Sequence, residues 1–455
     1  MSVFRRFTSG RSLDAAVLVA LALYLIVIRL WGVSETLWML ADQIRDWRLA
    51  LGPFSGLPLT GTSSTAGGAS LGPIYYWVLW ISRVVIGPLT ANLPHAGVYG
   101  IAALQTAADV LLFTALRRRS IPLMASAATV LLGATISMDL AFTATIWNPA
   151  VSVAFVKIAI ALRLWNPGLA SPLRLVATTV AAWFAVQAHS TALFVAAPVV
   201  ASFALEQLVA RRIAGMLQSI RTIVEVVLVL QVPFFMHAVL GTQQAAPTRF
   251  LASVGQSLGP EGHLRLLDAG HSLLFAFGWL FANPEPERVG VVVLLAGFAL
   301  FVVRHGRDMV LMSTTVAPLL CAWFGFSLWQ GNYDNYWYLP LVPCVAVAAG
   351  LGFTAYWTGT TSIAMLALVL VAQPLRITHA HSWFRMPQYG PLVRGSQAVV
   401  KYANPVRRLD TTFTLPPLSD RHFPFEAMGG RFSEDARFDA VIDEKGDVQF
   451  NPVQR

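Results

Sequence analysis

Apolar runs of about 17 to 22 residues, separated by short polar or basic turns, recur along the first 378 residues, each long enough to cross a hydrocarbon core of about 30 Å as a helix. A transmembrane barrel would show alternating strands of about 10 residues and a far less apolar pattern. The pattern predicts an all-α polytopic membrane protein, a helical bundle with spans near 13–32, 95–116, 120–140, 148–165, 173–188, 190–209, 220–240, 287–304, 309–328, 336–356 and 361–377. That makes about 11 transmembrane helices.

The arginines set the expected orientation. With Leu71–Pro88 left out of the count, Arg117 to Arg119, Arg163 with Arg174, Arg211 with Arg212 and Arg221, and Arg304 with Arg307 all share the N-terminal side, which the positive-inside rule makes cytoplasmic. Leu71–Pro88 is short, bounded by prolines, interrupted by Arg83 and rich in Tyr and Trp, as expected of a juxtamembrane helix at the outer surface. The first run, Asp14 to Trp31, lacks a small-residue cleavage site and reads as an uncleaved span. An odd number of spans places the C-terminus outside. The expected organisation is therefore a membrane domain over 1–378, with outer connections at 34–94 and 242–288, and a polar extracytoplasmic segment over 379–455 whose fold is not legible. No internal repeat marks a two-halved transporter.

Composition agrees with a membrane protein: 56% hydrophobic, 12% charged, mean hydropathy +0.61. The formal net charge of +9 sits in short clusters between spans, so nucleic-acid binding is not indicated. Cys321 and Cys344 both fall in apolar runs without Cys or His neighbours, and His379 with His381 is too sparse a pair for a metal site. No glycine-rich nucleotide loop follows a strand. Neither a metal nor a cofactor is expected.

Charge is concentrated in the first outer connection, where Asp42, Arg45, Asp46 and Arg48 precede a Gly/Ser/Thr-rich loop and a GPIYYW step. Asp42 and Asp46 are i, i+4 and share one helix face. Such a face is either a surface with local ion pairs or, beneath a cavity between spans, the place for a general base that takes a proton from a hydroxyl. Arg45, Arg249, Arg265 and Arg288 are candidate cations for a phosphate group. Tyr75 and Tyr76 offer hydroxyls at the waterline, as helix anchors or as sugar ligands. His189 reads equally as a core histidine or as a phosphate ligand.

The succession LADQIRDW, GTSSTAGGASLGPIYYW, IWNPAVSVAF, QAHS and NYDNYWYLPLVP resembles, in order over about the first 360 residues, the membrane-integral GT-C glycosyltransferases, notably those akin to protein O-mannosyltransferases and the lipid A aminoarabinose transferase. The resemblance implies a GT-C-type bundle in the plasma (inner) membrane that moves a sugar from a polyprenyl-phosphate donor to a hydroxyl of a lipid, glycan or protein on the outer face. It selects Asp42 as the catalytic base. The family pattern of Asp followed by Glu is here Asp42-Gln43, and the family's fourth-span acid and fifth-span basic residue correspond to Asn148 and His189. Substrate contacts are expected from Arg45, Asp46, Tyr75, Tyr76, Asn148, His189, Arg265, Tyr333 and Tyr336, in an outer cavity shared by Asp42, part of Thr242 to Arg288 and the Tyr333 to Tyr338 segment. The competing classes are a lipid or glycan flippase, whose coupling residues would lie at mid-bilayer on broken helices, and a wall-polymer ligase with a large late outer loop.

Overall fold

The computed structural model describes all residues except 1, 39, 64–69, 166–170, 241–247, 260–262, 282–287, 356–362, 365, 368, 372–384, 417–418 and 454–455. The chain opens with α1 (Ser2–Leu30), the short α2 (Val33–Thr36), α3 (Ala41–Leu51) and α4 (Ile74–Val85). The bundle continues through α5 (His95–Arg118), α6 (Leu123–Ala134), α7 (Ser137–Thr143), α8 (Asn148–Leu164), α9 (Pro172–Ala188), α10 (Leu193–Val209), α11 (Ile213–Leu230) and α12 (Val232–Leu240). It closes with α13 (Thr248–Leu258), α14 (Leu266–Phe281), α15 (Arg288–His305), α16 (Met309–Ser327), a 3-10 turn (Asn335–Leu341) and α17 (Val342–Ala355).

Among the described residues, 6 helices are long and apolar enough to cross a membrane, or 7 when the bent α6–α7 pair is one span. The protein is thus a multi-pass helical membrane protein, and the expected eleven spans are not all seen as full-length helices among the described residues. Three departures have physical causes. The 120–140 run is not one helix but bends by 63° between Ala134 and Ser137. Gly133 and the backbone-bonding Thr135 hydroxyl weaken the helix there. The 220–240 run starts earlier, at Ile213, and breaks at Gln231, ahead of Pro233, whose ring opposes a continuous helix. The connection over 242–288 carries α13 and the apolar α14 rather than irregular chain. The 361–377 run lies largely outside the described residues, as do most of Asn283 to Arg288, His379 and His381.

Helix α4 spans only 12 residues, about 18 Å, too short for the hydrocarbon core. It packs against α5, where Gly100 admits Ser82: a Cβ on Gly100 would lie 1.8 Å from the Ser82 Oγ. The outward face of α11 is apolar, with Ile213, Leu217, Ile220, Val224 and Leu228 exposed at helical spacing, as a lipid-facing helix requires.

The bundle interior carries charge. Arg29 donates to Asp109 at 2.6 Å and lies 3.4 Å from Asp139, while Lys157 sits 3.1 Å from each of these carboxylates. All four side chains are at most 1% exposed. Lys157 also donates to the Gln105 Oε1 at 2.9 Å, and Arg29 reaches the Ala134 carbonyl at the α6–α7 bend. Two cations balance two anions, which is how charge survives burial.

Basic side chains gather at one end of the bundle: Arg117 on Asp14, Arg119 on Asp308, Arg163 on Glu206 and Arg118 over the Trp165 ring. The C-terminal segment, α18 (Tyr389–Ala403), β1 (Leu409–Thr411), α19 (Phe423–Ala427), β2 (Phe438–Ile442) and β3 (Val448–Pro452), packs at the opposite end. Its sheet has order β1-β2-β3, with β1 parallel and β3 antiparallel to β2. It is fastened to the first connection: Arg394 pairs with Glu35 at 2.6 Å, the Met386 N–H donates to the Thr36 carbonyl at 2.8 Å, and Tyr389 meets His95 at 3.0 Å.

Candidate active site

Helix α3 forms because its apolar and polar positions segregate. Gln43, Ile44, Asp46, Trp47 and Ala50 make one buried face, and Asp42 in the first turn with Arg48 in the last complements the helix dipole. Trp47, fully buried, donates its indole N–H to the Asn92 carbonyl at 2.8 Å and pins the helix to the bundle.

The same face borders a cavity of about 470 Å³, walled by α3, the chain on either side of the Gly/Ser/Thr loop, the α7–α8 and α9–α10 junctions, the end of α16 and the 3-10 turn. Asp42, Arg45, Asp46, Asn148, His189 and Tyr336 all line it. Arg45 holds both carboxylates. Its Nη1 donates to the Asp42 Oδ1 at 2.9 Å, while Nε and Nη2 donate to the Asp46 Oδ1 at 3.0 and 2.9 Å.

The two acids differ in setting. The Asp42 side chain is 83% exposed, whereas that of Asp46 is 6% exposed and also accepts from the Tyr76 hydroxyl at 3.3 Å. Burial raises the Asp46 carboxyl above the ordinary 3.8, with Arg45 opposing the shift. Burial beside Asp46 likewise raises the Tyr76 phenol, keeping it a hydroxyl donor at neutral pH.

The far wall is formed where apolar helices break. Asn148 begins α8 ahead of Pro149, its amide N–H₂ donating to the Ala188 carbonyl at 2.7 Å. His189 ends α9 in an extended conformation and shares a 2.7 Å bond with the Thr191 hydroxyl. The His189 ring lies 5.9 Å from that of Tyr336, which lies 5.5 Å from that of Trp147. These rings make one side of the cavity aromatic and the α3 side charged.

The chain is similar to a crystal structure of ArnT from Cupriavidus metallidurans bound to undecaprenyl phosphate, at 15% identity over 90% of this chain and 84% of that one, with a TM-score of 0.55. The fold is of the GT-C type. An apo structure of the same ArnT aligns at 14% identity over 94% and 87% of the two chains, with a TM-score of 0.44. No protein-family model and no curated protein matches the sequence.

Within the GT-C bundle, four expected site residues stand outside the cavity lining. Tyr75 and Tyr76 are not waterline anchors: they are 1% and 4% exposed, and Tyr75 donates to the Ile146 carbonyl at 3.1 Å, because the face of α4 that bears them packs inward. Arg265 is committed to protein partners, donating to Asp268 at 2.9 Å and to the Gly331 carbonyl at 3.0 Å, with its guanidinium 5.3 Å from the Tyr333 ring centroid. Tyr333 in turn donates to the Phe326 carbonyl at 3.1 Å. No described residue of 242–288 lines the cavity, so that connection braces the wall from behind. Arg249 and Arg288 lie on α13 and α15.

Sequence reasoning did not assign Trp147, Ser190, Thr191 or Trp329 to the lining, and it noted Gln43 only as the residue beside Asp42. A signal existed for Gln43, which shares the periodicity of Ile44 and Trp47. The IWNP and QAHS motifs likewise mark helix breaks where polar side chains and free backbone groups collect.

Proposed function

We propose that the protein is a membrane glycosyltransferase that moves a sugar from a polyprenyl-phosphate donor to a hydroxyl of a lipid, cell-envelope glycan or protein at the outer face of the plasma membrane. The observation that carries this reading is the cavity at one end of a GT-C-type bundle, with two carboxylates and an arginine on one wall and aromatic rings on the other. The ArnT of similar fold was solved with undecaprenyl phosphate. The arginine-rich end of the bundle lies opposite the cavity, which supports an outward-facing site by the positive-inside rule.

Asp42 is the general base. It borders the cavity, is accessible, and is held by Arg45 through one oxygen, whereas the Asp46 Oδ1 is occupied by Arg45 and Tyr76. Asp42 takes the proton of the acceptor hydroxyl as its oxygen attacks the sugar's anomeric carbon. The bond from that carbon to the phosphate oxygen breaks, and polyprenyl phosphate leaves with the electron pair. Attack opposite the leaving group inverts the anomeric centre. Arg45 has five N–H donors, of which the carboxylates use three, so two remain for the phosphate as its charge develops.

One observation favours a flippase instead: buried charges beside a broken helix are the arrangement of coupling residues in transporters. Against this, the four charges neutralise one another and none of them lines the cavity. A direct test reconstitutes the purified chain in lipid with labelled undecaprenyl-phosphate hexoses and an envelope extract as acceptor. Release of undecaprenyl phosphate coupled to labelling of the acceptor is expected; donor movement between leaflets without turnover would instead establish the flippase.

A further inference from the structure

The α9–α10 junction gives the far wall a histidine whose two ring nitrogens stand in different settings. His189 lines the cavity and is 8% exposed. Its Nδ1 lies 2.7 Å from the Thr191 hydroxyl, the one hydrogen bond of that hydroxyl among the described residues. Nε2 is neither bonded to a described residue nor sealed away, unlike the Oε1 of Gln187 two positions earlier. No described acid is paired with the ring and burial disfavours its charged form, so at neutral pH the imidazole carries one proton. That proton has two possible seats. On Nδ1 it would be donated to Thr191, whose own hydroxyl hydrogen would then have no described acceptor. On Nε2 it leaves Nδ1 to accept from Thr191, and both groups are satisfied.

We infer that Thr191 is a positioning residue that holds His189 as the Nε2–H tautomer, so that the ring donates a hydrogen bond to a hydroxyl oxygen of the donor sugar; the inference rests on the glycosyltransferase reading. Sugar rather than phosphate is the partner because of what stands beside the ring. His189 and Tyr336 meet at 73° with centroids 5.9 Å apart, and Tyr336 continues to Trp147 at 5.5 Å. Such ring faces suit the C–H faces of a sugar, whose hydroxyls project sideways from a stacked ring toward its neighbours. A phosphate calls for a cation, and Arg45 on the α3 wall has the spare N–H donors. His189 adds a donor without adding charge to the aromatic side.

The test uses the full chain in lipid, with histidine labelled with an NMR-active nitrogen isotope and the His189 signals identified by their loss in His189→Phe. Wild type should show Nε2 protonated and Nδ1 bare; a protonated Nδ1 overturns the inference. Thr191→Val, which keeps the shape and removes the hydroxyl, should lose that single tautomer, and Thr191→Ser should keep it. A tautomer unchanged in Thr191→Val overturns the role of Thr191. Binding is then measured for undecaprenyl phosphate and for its glucose, galactose and mannose conjugates. The conjugate that wild type binds best should bind about three- to tenfold more weakly to Thr191→Val and to His189→Phe, the worth of one neutral hydrogen bond, and at full strength to Thr191→Ser. Bare undecaprenyl phosphate should bind all of them alike. Equal loss for the bare lipid, or no loss for the conjugate, overturns the contact with sugar. Should the variants fail to fold, wild type alone decides: its best conjugate should shift one histidine Nε2 signal that bare undecaprenyl phosphate leaves in place, and no shift, or a shift with the bare lipid, overturns the inference. Transfer from a conjugate alongside any overturning result leaves the glycosyltransferase reading standing, whereas absence of transfer from every conjugate removes the reading beneath it.

Discussion

Replacing Lys157 by Met should be among the most damaging substitutions in the bundle, although Lys157 touches no part of the cavity. Lys157 is 3.1 Å from both Asp109 and Asp139 in a cluster at most 1% exposed. With Arg29 it balances the two carboxylates, so its removal leaves one net negative charge sealed in the interior. Breaking a buried pair in this way costs about 3–5 kcal/mol. The double variant Lys157→Met/Asp139→Asn restores neutrality and leaves Arg29 on Asp109 at 2.6 Å. It should therefore cost less than Lys157→Met alone, and far less than the sum of the two single changes. Equilibrium unfolding in mixed micelles, measured on the wild type, both single variants and the double, yields the coupling directly. A cost below about 1 kcal/mol for Lys157→Met, or strict additivity in the cycle, would refute the argument that the four charges act as one neutral unit.

Other consequences concern the cavity. Because burial raises the Asp46 carboxyl above 3.8, its contribution to stability is fully present below pH 3.8 and is lost as pH rises through the elevated folded value. Asp46→Asn should thus gain in melting temperature relative to wild type as pH rises through the carboxylate range, and a constant difference between pH 3 and 7 would contradict this. Arg48 ties the last turn of α3 to Asp420 and Glu426, each at 2.9 Å, while Leu40 at the other end pairs with Ser419. Arg48→Glu should lower turnover several-fold, and the reversal Asp420→Arg/Glu426→Arg in that background should recover it; no recovery would mean the C-terminal segment does not steady α3 through charge. Gly100→Leu should prevent α4 from seating on α5 and abolish folding, since even a Cβ there would overlap Ser82, and wild-type yield and stability would show that the two helices can part.

The helical class was legible because lipid and interior both demand apolar runs, and the runs that became α5, α8, α9, α10 and α16 need only pattern and length. The bend after α6 was not, because it depends on a single weak turn, Gly133 to Thr135, completed by an arginine from α1 that is distant in sequence. The charged helix α3 stood out for the same reason: Asp42, Arg45 and Asp46 are rare residues in an apolar chain. What hid the rest of the site was the tyrosine ambiguity of α4 and the commitment of Arg265 to backbone carbonyls 64 and 66 residues away. Neither follows from local spacing. Gln43 was legible only as the residue that departs from the Asp-Glu pattern beside Asp42, because an uncharged amide carries no signal in hydropathy or charge, and its burial without a partner emerges only in the fold.

The central claim is that Asp42 removes the acceptor proton. It is tested most directly by turnover and donor binding measured on the same purified Asp42→Asn protein in lipid. Asn keeps the size but cannot take the proton, so transfer from a polyprenyl-phosphate sugar should fall by about a hundredfold or more with donor binding retained. Undiminished transfer by Asp42→Asn, or a larger loss in Asp46→Asn with its donor binding intact, would contradict the assignment.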